Sequence, residues 1–305
     1  MDSKGSDWPP RDRPADGFEA HRAHLRAVAY RMLGSLTEAD DAVQEAWLRL
    51  ARSKPDDVQN LRGWLTTVVS RVCLDMLRSR AARREDSLEV HVPDPVVTPV
   101  GDDPQQQALL ADSVGIALLV VLDTLAPAER LAFVLHDVFA VPFDDIGAAL
   151  DRSPAAAKQL ASRARQRLRT AGPGGPGGPG GADRARQRDV VAAFRAASLA
   201  GDFAALLALL DPDVVLRVDA GASPLGPSKL LRGAGDVLAE ARRFSRFALS
   251  SRMVLINGDP GFLVAPGGNP GALLAVAVHD GRITEIDILA DPDRLARLDL
   301  TAVLG

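Results

Sequence analysis

The 305-residue sequence holds a single cysteine, Cys73. An intrachain disulfide framework is thereby excluded, and so is a zinc site built from several cysteines. Aromatic residues are scarce, at 4%. No apolar run approaches the roughly 18 residues of a membrane-crossing helix. Met1 to Pro14 is polar and proline-bearing, without the apolar stretch of a secretory signal. A cytoplasmic location without membrane contact is expected. An excess of basic charge is also missing: the net charge is −4. The total therefore gives no sign of nucleic-acid binding.

The local distribution differs from the total. Residues 152 to 169 hold six basic residues and no acid, and residues 71 to 84 hold five against Asp75. Composition otherwise fits a globular protein, and the length suggests two or three domains. The segment Gly172 to Gly181, GPGGPGGPGG, can neither bury a side chain nor hold a helix. It reads as a linker with a span of roughly 17–20 Å. A softer boundary, Ser87 to Asp103, carries Pro93, Pro95 and Pro99 and reads as an extended connection.

Ahead of that connection the apolar period is helical. Phe18, Leu25, Val28, Ala29 and Met32 share one face, and Gly34 closes the helix. Thr37, with Asp40 three residues on, predicts the cap of a second helix. A third is predicted from Leu61 to Arg84, with Trp64 and Val68 inward and Cys73 buried. Residues 105 to 170 are helical again. Pro142 to Leu150, the tight turn Asp151-Arg152-Ser153 and a helix opened by Pro154 read as a helix-turn-helix. Its second helix offers Arg152, Ser153, Lys158, Gln159, Ser162 and Arg163 to base edges or phosphates, with Arg165 and Arg167 as phosphate neutralisers. After Gly181 the period changes. Two helices, a strand at Val214 to Val218 and a helix over 234–245 precede strands near 249–256, 261–265, 273–279 and 282–289. Asn257-Gly258 and Asp280-Gly281 predict hairpins, and the strands an antiparallel meander.

Several stretches, in order and at the right spacing, resemble the extracytoplasmic-function sigma factors of bacterial RNA polymerase. They are Tyr30 to Gly34, Ala39 to Leu50, Leu61 to Leu65, Arg71 with Leu74-Asp75 and Leu77-Arg78, and Leu125 to Arg130. The resemblance covers about 18 to 170. It implies that Asp40, Asp41, Gln44, Glu45 and Leu48 grip the β′ clamp helices of core polymerase. It also implies that Asn60, Arg62, Trp64, Arg71, Asp75 and Arg78 open and hold the −10 promoter element, while the helix after Ser153 reads the −35 element as duplex. No cofactor or metal is implied. The implied domains are 18–86 and 105–170, joined by 87–104, with the linker 171–182 leading to 183–305.

Residues 183–305 resemble, by element order, the cone-shaped α+β SnoaL-like fold shared with nuclear transport factor. The expected fold class is therefore two all-α sigma domains, the second a helix-turn-helix, followed by an α+β SnoaL/NTF2-like domain. A subgroup of these sigma factors carries such a domain and is thought to be controlled by it in cis. Pro93, Asp94 and Pro95 match the subgroup's connection motif. Asp291, Pro292 and Asp293 match its late motif, and Asp219 opens the nearest counterpart of its glycine-rich one. Asp219 and Asp287 are also candidate acids for a pocket in the cone. With no paired carboxylates, nucleophile–base set or metal cluster, catalysis is not expected. A small apolar ligand in that pocket is a candidate partner. The alternative from another class is a ligand-responsive DNA-binding regulator that acts without core polymerase; it would have no use for the Asp41 to Leu50 surface.

Overall fold

The three- and four-residue spacing of the early apolar residues produces three helices: α1 (Pro14–Leu33), α2 (Leu36–Arg52) and α3 (Leu61–Arg83). The computed structural model describes residues 14–52, 60–83, 90–101, 115–171, 181–223 and 226–304. The Gly/Pro linker predicted over Gly172 to Gly181, apart from Gly181 itself, and the helical reading of 105–114 lie outside these residues. Phe18, Leu25, Val28 and Met32 of α1 are fully buried with Ala39, Ala42, Val43, Ala46 and Leu50 of α2. Gly34, at φ +68°, ends α1. The cap of α2 lies two residues earlier than predicted. Ser35 precedes the helix, and its hydroxyl accepts from the Glu38 N–H at 3.5 Å. Ser35 and Glu38 form the same capping pattern as Thr37 and Asp40, so either could have opened the helix. Cys73 is buried in α3, and desolvation pushes its thiol up to about 12, which leaves it unreactive.

The chain divides into two compact units. The first combines residues 1–84 with 126–164; the second combines 85–125 with 165–305. In the first unit α5 (Pro127–Phe133) runs into a π-helical turn at Val134–Val138, followed by α6 (Phe143–Leu150) and, up to Ala164, by α7 (Pro154–Ala171). Arg130 is buried, and its guanidinium donates to the Arg31 carbonyl at the end of α1. Pro127 and Pro154 both occupy first-turn positions, where a missing N–H costs nothing.

The second unit contains β1 (Val97–Pro99), α4 (Ile116–Asp123), α8 (Gly181–Ala200), α9 (Phe203–Leu209), β2 (Leu210–Asp219), β3 (Lys229–Arg232) and α10 (Ala234–Phe244). After a 3-10 turn at Ser245–Ser250 come β4 (Ser251–Ile256), β5 (Asp259–Val264), β6 (Ala272–His279), β7 (Arg282–Leu289), α11 (Pro292–Leu295) and α12 (Thr301–Leu304). The seven strands form one sheet in the order β1-β4-β5-β6-β7-β2-β3. Asn257 and Asp280 take φ +51° and +49°, each followed by a glycine at positive φ, so both predicted hairpins close as the twisted two-residue kind. The expected antiparallel meander runs through β4 to β7, and a parallel pair flanks it. β2 pairs with β7 in parallel, because the chain crosses the sheet through β3 to β6 before β7 returns beside it. Among the described residues, no helix is long and apolar enough to cross a membrane.

The two faces of this sheet differ in chemistry. Leu216, Ile286 and Phe262 point into an apolar core beneath α8 and α10. On the opposite face Arg217 and Asp287 pair in a buried ion pair, with Glu285 two residues away. Asp287 therefore does not serve as a pocket acid. Burial first, and then the Asp287 carboxylate, push Glu285 up to about 7 against the pull of Arg217 and Arg232. A raised carboxylate binds its proton more tightly when folded than unfolded. Stability from this group is therefore greatest at low pH and falls as pH rises from about 4.5 to about 7. Glu285→Gln is expected to flatten that fall and to raise the melting temperature of the full chain at about pH 8 by a few degrees. Melts between about pH 5 and 8 check it; parallel curves for the two proteins would show that Glu285 titrates normally.

Candidate functional site

Helix α2 buries one face and leaves the other to solvent. Asp41, Gln44 and Leu48, three and four residues apart, line the exposed face. Leu48 is 38% exposed, an apolar side chain amid polar neighbours. Asp40 is held by Arg26 at 2.6 Å and Glu45 by Arg49 at 3.0 Å. The stripe thus offers one acid, one amide and one leucine that helix neighbours do not neutralise.

Helix α3 carries the other predicted set. Asn60 sits just before the helix, and its side chain accepts from the Gly63 N–H at 3.0 Å, so it acts here as an N-cap. Arg62 is exposed, with its guanidinium 3.4 Å from the His24 ring. Trp64, predicted to face inward, is half-buried, and so is Val68. Arg71, Asp75 and Arg78 share one exposed stripe, and Asp75 lies 3.7 Å from Arg78. Arg71 is engaged within the first unit. It donates to the Ala148 carbonyl at 2.6 Å, to the Ala149 carbonyl at 3.4 Å and to Asp151 at 2.8 Å.

That target is the turn of the helix-turn-helix. Asp151 takes the left-handed conformation, φ 52° and ψ 45°, and ends α6. Arg152 follows, and the Ser153 hydroxyl accepts from the Ala156 N–H at 3.2 Å, capping α7. Ala157, Leu160, Ala161, Ala164 and Leu168 form the buried face of α7. Lys158, Gln159, Ser162, Arg163 and Arg167 lie exposed on its other side, with Arg165 half-buried. A row of donors on one helix face, without an acid among them, suits a polyanion.

In the second unit the predicted connection motif is anchored to the sheet domain. Pro93 and Pro95 are buried. Arg294, on α11, reaches Asp94 with Nε at 3.1 Å, the Val92 carbonyl with Nη2 at 2.6 Å and Asp219 with Nη1 at 2.6 Å. Asp219 also accepts from the Val92 N–H at 3.0 Å and lies 3.3 Å from His91. Burial would push Asp219 up, but the His91 and Val92 hydrogen bonds and the Arg294 charge outweigh it and hold the carboxyl below its usual range. Asp291 caps α11 by accepting from the Asp293 and Arg294 N–H groups. A β-carbon on Gly221, itself at φ +49°, would collide with the Asp291 carboxylate. Beyond the junction, Val96 and Asn257 bond twice, and β1 joins the edge of β4.

Residues 18–83 match the Sigma-70 region 2 family, and residues 116–168 match Sigma-70, region 4. The chain is 39% identical over 293 residues to the ECF RNA polymerase sigma factor SigJ of Mycobacterium tuberculosis, covering 91% of each chain. The crystal structure of the M. tuberculosis sigma factor SigJ superposes with a TM-score of 0.74 at 34% identity. That match covers 94% of this chain and 99% of the other. The chain belongs to the extracytoplasmic-function sigma factors. SigI of the same species is 35% identical over 294 residues, 93% of this chain and 95% of its own.

In this sigma factor, region 4 as matched begins at α4, which packs against β6 and β7 within the second unit. Of the residues expected at the connection, Asp94, Asp219 and Asp291 bond to Arg294, and the buried Pro93 and Pro95 flank Asp94. Pro292 lies at the start of α11. Asp293 is exposed and contributes backbone groups, its N–H to Asp291 and its carbonyl to Arg297. Arg294 is not among the contacts expected from the sequence, and Asn257, expected only as a turn residue, also bonds to Val96. The signal for Arg294 was present: it lies in the matched late motif, and an acid, Asp94, stands in the matched connection. Asp219 faces the connection instead of the pocket. Among the described residues, no cluster of histidine, cysteine and acidic side chains could hold a metal.

Proposed function

We propose that this sigma factor binds core RNA polymerase through the exposed Asp41, Gln44 and Leu48 stripe of α2 and directs it to promoters. The Arg71–Asp75–Arg78 stripe would work at the melted −10 element, and the Lys158, Gln159, Ser162 and Arg163 face of α7 at the −35 duplex. The polymerase supplies the chemistry of RNA synthesis. The observation that carries the reading is the exposed α2 stripe inside a region 2 match, because a DNA-binding regulator that works alone has no use for it.

The arrangement of the first unit adds a state. Arg71 is bound to the turn that launches α7, so its guanidinium must give up those bonds before it can pair with a phosphate. The pair is largely exposed, and such pairs contribute about 0–1 kcal/mol. Polymerase or promoter contacts can therefore exchange it readily. The second unit, by holding residues 91–99, would set how far the two regions can separate, which is regulation in cis.

Run-off transcription with purified core polymerase tests the reading, on a template carrying the protein's own upstream region. Core-dependent transcripts are expected from the full chain. Joint alanine substitution at Asp41, Gln44 and Leu48 is expected to abolish them without weakening duplex binding. Full activity in the triple variant would sink the assignment of α2. A chain ending at Thr170 gives the sign of the cis control.

A further inference from the structure

At the start of α3 an arginine is held without being neutralised. Other cations of the three-helix region each lie against a carboxylate: Arg26 against Asp40, Arg71 against Asp151, Arg78 against Asp75 and Arg80 against Glu38. Arg62 is exposed, and among the described residues no acid pairs with it. Its Nη2 instead meets the Nδ1 of His24, on α1, at 3.4 Å.

The bonds around His24 define its ring. A guanidinium can only donate, so Nδ1 must accept and carry no proton. The other nitrogen gives the same answer through a different neighbour. Nε2 lies 3.3 Å from the Thr66 hydroxyl oxygen, and that hydroxyl directs its hydrogen to the Arg62 carbonyl at 2.8 Å. Thr66 therefore accepts from His24, and Nε2 carries the proton. Two neighbours thus select one neutral tautomer. Thr66 is buried one turn beyond Arg62, so the ring is anchored on the same helical turn that it steadies. Phe139, just past the π-helical turn, makes a T-shaped contact with the ring at 5.3 Å between centroids, and Arg31 lies over Phe139 at 4.9 Å.

A carboxylate in place of the imidazole would also hold Arg62, but it would cancel the charge. A neutral ring holds the guanidinium and leaves its charge and its other donors open to an anion. An arginine loses much rotamer freedom on binding, and holding it beforehand removes part of that cost. We infer that His24 is a positioning residue: its Nδ1 fixes the Arg62 guanidinium in advance for a phosphate of the melted promoter strand. This deepens the region 2 reading and rests on it for the place of Arg62 at the −10 element. The contact between the two side chains does not depend on that reading.

The test has two arms, both with the full chain. Nitrogen-15 NMR of the imidazoles should show His24 protonated on Nε2, with an Nδ1 resonance that shifts in Arg62→Ala. A proton on Nδ1, or an Nδ1 resonance indifferent to Arg62→Ala, overturns the contact. The second arm measures permanganate-reactive open complexes with core polymerase on the protein's own upstream region. Glutamine places its amide where Nε2 stood and keeps Thr66; asparagine places its oxygen where Nδ1 stood and keeps Arg62. His24→Gln should lower open complexes about three- to tenfold, the worth of one hydrogen bond, and His24→Asn should recover most of the loss. A merely structural role predicts the opposite order, because glutamine is the better helix former. Arg62→Ala should cost at least as much as His24→Gln, and the double variant no more than Arg62→Ala alone. Equal activity in the asparagine and glutamine variants, or additive losses in the double variant, overturns the positioning. Full activity in Arg62→Ala overturns the −10 reading and the positioning with it, while the spectra report the contact separately.

Discussion

Arg294→Ala is expected to release residues 91–97 from the sheet domain, at a cost of about 3 kcal/mol. One guanidinium satisfies two carboxylates, Asp94 and Asp219, and the Val92 carbonyl. The three side chains are only 13–17% exposed, so removing the cation leaves two acids facing each other with little water. Loss of one partner from a buried pair typically costs about 3–5 kcal/mol, and the residual exposure places this case at the low end. At about 1.4 kcal/mol per decade, exchange of the Val92 amide should speed up about 100-fold. Arg294→Lys should fall between, because an ammonium cannot fork across all three acceptors. Arg297→Ala, which removes an exposed side chain bonded only locally to Asp293, should change little. Unaltered exchange at Val92 in Arg294→Ala would mean that the hydrogen bonds of β1 and Asn257 hold the connection alone.

The second large effect is expected at Gly147→Val. Gly147 lies in α6, directly under the turn into α7. A β-carbon there would sit 2.7 Å from the Arg152 carbonyl oxygen and 3.1 Å from the Pro154 nitrogen. Both obstacles are backbone, and the Arg152 N–H is bonded to the Gly147 carbonyl at 2.9 Å, so the turn has nowhere to yield. Overpacking of this kind costs about 1–3 kcal/mol. Relief comes only by moving the start of α7, which carries Lys158, Gln159, Ser162 and Arg163. Loss of one correctly placed base contact is worth about 1–3 kcal/mol, so −35 duplex affinity should fall about tenfold or more. Gly235→Ala is the control: nothing lies within 4 Å of its added β-carbon, and stability should hold or rise. Equal duplex binding by Gly147→Val and the parent chain would mean that α7 does not read DNA.

Local signals made much of this fold legible. Apolar spacing placed α1 to α3, the Ser153-Pro154 start placed α7, and Asn-Gly and Asp-Gly placed both hairpins. What escaped was decided by distant partners. Val97 to Pro99 becomes β1 only because the edge of β4 is there to receive it. Nothing near β2 announces that it will lie parallel to β7. Arg294 is one arginine among many until residues 94, 219 and 294 meet. Asp219 and Asp287 both looked like pocket acids, yet strand alternation turns both to the side that carries Arg217 and away from the apolar core.

The pairing of β1 with β4 also sets an order in time. A ribosome makes Val97 to Pro99 about 150 residues before Ser251 to Ile256, and Arg294 later still. The helices of the first unit form from contacts nearer in sequence and need not wait. At roughly 5–20 residues per second the delay is about 8–30 s. Throughout that interval the nascent chain carries region 2 and the helix-turn-helix already made, with the segment between them still untethered. Residues 91–99 therefore have no sheet to join and no Arg294 to meet until the last strands have left the ribosome.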